Sequence, residues 1–269
     1  MWAAFWDALA EAGGRKIVIA IVLLSLGIGY LYSRAVDFGK LANVNVLFFG
    51  PQNMGPYPFA VPQLLGTLTP LANVIATMLM IFAGCPQFVA MLEKGWRELT
   101  FSKGTARWQI LLSRFISLTI LYIAMYMGVC LPLALKLWWG TGIHPFSLLG
   151  SAVIATFSFA AMLSVGALAS MTGTGGVAIP IGAPMMMFVV SQYLVERQRI
   201  LWGYITSEFW RGVIDWLYYI FPKIQELQGA GAAYVQSATL PTSWPVWTTG
   251  LFTLVTLATT LWILERKSF

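Results

Sequence analysis

Apolar and polar positions alternate in long blocks rather than residue by residue. Six apolar runs, at about 16–32, 64–91, 115–135, 146–170, 177–195 and 247–264, are separated by polar or aromatic-rich segments. Most fall in the range of about 17–25 residues that lets a helix cross a bilayer, and the second is long enough to tilt or to run on beyond it. Before the first run, Trp2, Phe5, Trp6 and Leu9 follow i, i+3, i+4, i+7 spacing, with Asp7 and Glu11 off that stripe. This predicts an amphipathic helix over 1–14 lying in the headgroup region, broken by Gly13-Gly14. Arg15 and Lys16 precede the first run, and no small-x-small cleavage site follows it, so an uncleaved first span is predicted.

The connections differ in character. Residues 33–63 are rich in Pro, Gly and Asn, with a short strand expected over 44–49. Spans four and five form a hairpin around the uncharged turn Met171–Gly176, with Gly166 and Ser170 in the small-xxx-small spacing that lets helices approach closely in lipid. Pro180 and Pro184 are expected to kink span five. Residues 196–244 carry Trp202, Tyr204, Phe209, Trp210, Trp216, Tyr218, Tyr219 and Phe221, which predicts that much of this stretch lies against the membrane interface.

Composition fits this pattern. The chain is 58% hydrophobic and 10% charged, against about 25% charged in an ordinary soluble domain. The expected fold is an all-α integral membrane protein, one transmembrane domain over 1–269 with six transmembrane helices, leaving no room for a soluble catalytic domain. The net charge of +6 sits beside span ends, so it reads as membrane orientation and not as nucleic-acid binding.

Candidate chemistry is sparse. No GxxxxGK[ST] phosphate loop, HExxH or Cys/His pair at metal spacing occurs, and His144 stands alone in a short turn. Cys85 and Cys130 fall at different depths of their spans and read as small buried apolar residues. Met78/Met80 and Met125/Met127 point to different helix faces and Met185–Met187 are consecutive, so core packing is favoured over a Cu(I) site. No catalytic, cofactor-binding or metal residue is expected.

On span two, Asn73, Thr77, Met80 and Gly84 share one face, continued by Thr69. Amide and hydroxyl groups in lipid need a partner, so this face is either the wall of a cavity or dimer interface, or ordinary interhelical hydrogen bonding. No acidic, basic or histidine side chain lies in 64–91, and none with a full charge lies between Lys136 and Glu196. Ion-coupled pumps keep costly intramembrane charges as relays. Lacking one, this chain would have to receive energy from outside the membrane.

Charge collects instead between spans two and three. Nine of the 16 basic residues (Arg15, Lys16, Lys94, Arg97, Lys103, Arg107, Arg114, Arg266, Lys267) lie in the segments that are inside if the N-terminus is inside. The other seven are spread over about twice the length, six of them in long loops, which count little. Both termini and 92–114 are therefore expected to be cytoplasmic, with 33–63 and 196–244 extracytoplasmic, in a cell (inner) membrane.

The stretch Glu93–Phe115 reads EKGWRELTFSKGTARWQILLSRF. Glu93, Gly95, Glu98-Leu99, Ser102-Lys103, Arg107 and Arg114 resemble, at matching spacing, the post-second-span motif of ABC-2 type ABC exporter permeases. Gly104 replaces a usual proline and Trp96 a usual small residue. The amphipathic start, six spans, short fourth-to-fifth turn and basic terminus extend the resemblance over nearly the whole chain. Phe221–Leu227 also looks like the segment these permeases place before the last span.

The resemblance implies a cytoplasmic coupling helix between spans two and three, formed by Glu93, Lys94, Gly95, Arg97, Glu98, Leu99 and Phe101. It would seat in a groove on separate ABC ATPase subunits, which bind the ATP and Mg. A second permease chain would complete the unit as a homodimer, moving a lipidic or other hydrophobic substrate. Lys103, Arg107 and Arg114, close to a span end, are expected to anchor to lipid headgroups. The large outer segments leave open force transmission to an extracytoplasmic protein, and a passive channel or carrier is a further rival.

Overall fold

The structure, a computed structural model, describes residues 16–35, 44–46, 50–52, 57–92, 106–141, 146–172, 176–237 and 239–266. Its helices are α1 (Lys16–Ala35), α2 (Tyr57–Ala90), α3 (Arg107–Thr141), α4 (Ser147–Ser170), α5 (Ala178–Val195), α6 (Glu208–Ile220), α7 (Ile224–Ser237) and α8 (Trp244–Arg266). A minimal antiparallel pair, β1 (Val44–Val46) and β2 (Gly50–Gln52), stands where a strand over 44–49 was expected.

Among the described residues, five helices are long and apolar enough to cross a membrane: Leu65–Ala90 within α2, Arg107–Lys136 within α3, then α4, α5 and α8. α1 is a 20-residue helix lying along α3. The amphipathic 1–14 segment lies outside the described residues. Two boundaries move. α2 starts at Tyr57, so the Pro58 and Pro62 read as loop belong to a helix. In α5, Pro180 falls in the first turn, where its missing N–H removes no helical bond, and Pro184 alone is interior.

α2, α3 and α4 form the centre, with α5, α7 and α8 packed around them and α1 on the outer side of α3. Phe88, Met80, Leu118, Tyr122, Phe159 and Leu163 fill the core. α7 is the main surprise. It is inserted against α2, α4 and α5, burying Ile224, Leu227, Gln228, Ala230, Gly231 and Val235. Two glycines make the slot. A Cβ at Gly66 would sit 2.3 Å from Gln236 Nε2, and one at Gly150 would sit 2.1 Å from Tyr234 Cε1. α6 exposes Phe209, Trp210, Trp216, Tyr219 and Ile220.

α8 turns a threonine stripe inward. Thr249, Thr253, Thr256 and Thr260 are buried, and the last three donate to the carbonyls of Thr249, Phe252 and Thr256 at 2.7–2.8 Å. Those intrahelical bonds satisfy the hydroxyls and let the stripe pack closely on α4.

α1 and α3 run parallel in close contact. A Cβ at Gly29 would lie 2.6 Å from the Val129 carbonyl oxygen and 2.7 Å from that of Gly128. Backbone cannot swing aside as a side chain can, so Gly29→Ala is expected to cost about 1–3 kcal/mol as overpacking. Gly27 faces open space, so Gly27→Ala should be neutral or slightly stabilising through helix propensity. Thermal unfolding of both variants in one detergent checks the contrast, and equal midpoints would refute it.

Candidate functional site

The coupling residues Glu93, Lys94, Gly95, Arg97, Glu98, Leu99 and Phe101, with Lys103, lie outside the described residues. What the structure gives is the frame holding their two ends. α2 ends at Ala90 and α3 begins at Arg107, antiparallel and packed together, so residues 93–105 join them at one end of the bundle. The C-terminus of α8 lies at this same loop end.

Arg107 and Arg114 do not sit as free headgroup anchors. The guanidinium of Arg107 donates to the carbonyl oxygens of Leu264 at 3.1 Å and Glu265 at 3.4 Å, in the last turn of α8. Arg114 is 2% exposed and donates to the Gln87 carbonyl near the end of α2. Helix C-termini carry partial negative charge, so each arginine meets the chemistry a cation satisfies, and Arg114 shares the Gln87 carbonyl with the Met91 N–H at 3.2 Å. Headgroup contact fails for Arg114 because its head is enclosed by protein. The spacing 107 to 114 is two helical turns, so both arginines leave nearly one face of α3, about 10 Å apart along its axis.

The span-two face also has a definite partner. Thr69, Asn73, Thr77, Met80 and Gly84 are all buried within this chain. Asn73 is the centre. Its amide nitrogen donates to Ser158 Oγ at 3.4 Å, while its carbonyl oxygen accepts from Thr77 Oγ1 at 3.1 Å and from the Tyr122 hydroxyl. Tyr122 stacks on Phe159, ring centroids 4.3 Å apart. One helical turn along, Tyr126 and Ser151 share a hydrogen bond of 3.0 Å. Gly84 faces Leu118 and Leu163. Of the two alternatives for this face, hydrogen bonding within the chain is the one the described residues display. Tyr122, Ser158, Tyr126 and Ser151 were not singled out from sequence, because a hydroxyl in an apolar run gives no sign of its distant partner. Cys85 and Cys130 are free and buried.

A third cluster lies at the far end of the bundle, and sequence gave no sign of it. Arg197, just past α5, donates through Nε to Asp215 on α6 at 2.6 Å. Its guanidinium carbon is 3.7 Å from the centroid of the Tyr218 ring, and Lys223 Nζ is 3.3 Å from the same centroid. Two cations that close to one centroid must take opposite faces of the ring. The Tyr218 hydroxyl donates to the Glu226 carboxylate. The backbone N–H of Lys223 donates to Thr249 on α8 at 3.0 Å, and Ser191 on α5 donates to the Pro222 carbonyl at 3.2 Å. The start of α7 is thereby tied to α5, α6 and α8.

Lys223 is 2% exposed, and its Nζ has no hydrogen-bond partner among the described residues. Burial pushes its pKa down to about 8, with Glu226 opposing and Arg197 adding to the shift. Burial, then the hydrogen bond to Glu226 and that carboxylate's charge, push Tyr218 up to about 12. An unfolded lysine keeps its proton to about 10.4. Between pH 8 and that value the unfolded state therefore binds more protons, and stability rises with pH. Below pH 8 both states are charged and the desolvation penalty is fully present. The Tyr218 effect has the opposite sign but begins only above about pH 10. Wild-type protein should thus gain thermal stability from pH 8 to 10, and Lys223→Met should flatten that gain. An unchanged gain in Lys223→Met would show that another group titrates there.

No protein-family model matches the chain, and no curated protein matches it.

Proposed function

We propose that this chain is the membrane-spanning permease subunit of an ATP-binding cassette transporter. It works as a homodimer with separate cytoplasmic ATPase subunits that bind ATP and Mg, in a cell (inner) membrane. In this reading α1 is the sixth span, both termini and residues 93–105 are cytoplasmic, and the substrate is lipidic or otherwise hydrophobic. The observation that carries the reading is the one charge-rich segment between two otherwise uncharged central spans, Glu93–Arg114. Its ABC-2 motif spacing gives that segment a docking role.

The interior supports the same division of labour. The network around Asn73 is built from neutral amide and hydroxyl groups, which suit packing between helices better than ion relay. ATP binding in the partner would supply the work through its differential affinity for two arrangements of the spans. Force transmission to an extracytoplasmic partner is the second reading, motivated by the size of 196–244. The burial of α7 in the bundle leaves less of that segment to project outward, which favours transport.

The expected result is that the purified chain alone hydrolyses no ATP. An ATPase copurifying from native membranes should hydrolyse it in complex with the chain. Hydrolysis by the rigorously purified single chain would overturn the proposal, as would an ATPase-free complex with full transport activity.

A further inference from the structure

We propose that the first two turns of α3 are a positioning hub that makes the loop ends of α2, α3 and α8 move together, with Arg107 as its arm to α8 and Arg114 as its arm to α2. The inference rests on the coupling reading above, and it adds what that reading lacks: a route from one loop to a span distant in sequence.

The geometry is specific. α8 makes limited contact with α3 compared with α4, yet Arg107 reaches across 157 residues of sequence to hold two consecutive carbonyls of its last turn. Those carbonyls lie in the last turn of α8, so the guanidinium is a cap supplied by another helix. Arg114 reaches the C-terminal end of α2 from inside the protein, sharing the Gln87 carbonyl with the Met91 N–H, and Gln87 is itself 2% exposed. A guanidinium offers several donors in a rigid fork, so a cap of this kind holds direction as well as distance. Because both arms leave one face of one helix, a rotation or shift of the start of α3 reaches both neighbours at once. The start of α3 is also where residues 93–105 re-enter the bundle, so a push on that segment arrives first at Arg107.

The test uses full-length chain with the ATPase that copurifies with it, labelled protomers being diluted with unlabelled ones. Spin labels are placed at Ile116→Cys with Glu265→Cys, and at Ile116→Cys with Ala90→Cys; the native Cys85 and Cys130 are buried and stay unlabelled. Pulsed dipolar spectroscopy reads each pair with and without ATP and vanadate. In wild type both pairs should shift on trapping. Arg107→Gln should abolish the 116–265 shift while keeping the 116–90 shift and the copurified ATPase. Arg114→Gln should do the reverse, and Arg107→Lys should restore part of the lost shift. A purely structural cap would broaden distances without making the loss nucleotide-dependent and selective. If both pairs shift normally in Arg107→Gln and in Arg114→Gln, or both are lost in either, the hub is overturned. If wild type recruits no ATPase, the coupling reading fails. The hub, which rests on that reading, is then overturned with it, whereas a recruited ATPase with normal shifts in both variants overturns the hub alone.

Discussion

Reversing both charges with Glu98→Lys and Arg97→Glu should strip the ATPase from the detergent-purified complex while leaving the chain inserted and folded. Seven charged residues fall between Glu93 and Arg114, in a protein that is 10% charged overall. A docking helix needs fixed charges for register and apolar residues such as Leu99 and Phe101 for burial. Interfaces of this kind depend on a few central anchors, and losing one often costs about 2 kcal/mol or more, which is about a 30-fold weakening. Two reversed charges bring repulsion as well as loss, so the pair should exceed that figure. The readouts are the copurified ATPase ratio and the nucleotide turnover per complex. An unchanged ratio and unchanged turnover would remove this segment from the coupling role.

Arg107 and Arg114 belong to a different experiment, because their side chains are already engaged by α8 and α2. Their neutralisation should leave ATPase association intact. Two classes of variant within 22 residues of sequence thus separate docking from transmission.

Span positions were legible because lipid imposes the same demand on every residue of a crossing helix, and five runs return as long apolar helices close to their expected bounds. Proline misled the start of α2. Pro58 and Pro62 were weighed as loop residues, yet a helix tolerates proline in its opening turns. The insertion of α7 could have been read. Ile224, Leu227, Gln228, Gly231 and Val235 repeat at three- and four-residue steps, but the surrounding aromatic residues drew the whole segment toward the interface. The distant partners of Asn73, Ser158 and Tyr122, and the placing of Arg197 on the Tyr218 ring could not have been read at all. They join residues far apart on different helices, and a local pattern carries no information about which hydroxyl or ring meets which charge. The same holds for Arg114, whose position at a span end fits a headgroup anchor and a helix cap equally well.

Asn73→Leu should lower unfolding stability by about 2 kcal/mol, the sum of three interhelical or local bonds at about 0.6 kcal/mol each inside a membrane protein. Two of its partners have alternatives: Ser158 Oγ already donates to the Ala155 carbonyl at 2.7 Å, and Thr77 can turn to its own helix. The Tyr122 hydroxyl is fully buried beside Phe159 and would lose its main acceptor, so most of the cost should sit on that pair. A double-mutant cycle with Tyr122→Phe isolates it. Tyr122→Phe alone should cost about 0.6 kcal/mol, and in the Asn73→Leu background it should be neutral or stabilising, since the stranded hydroxyl is then removed. The cycle also distinguishes a structural network from a substrate surface. A network that packs helices changes the unfolding midpoint in proportion to any loss of transport. If Asn73→Leu kept the wild-type midpoint while altering substrate-stimulated turnover of the complex, Asn73 would belong to the transport path and the packing assignment would be wrong.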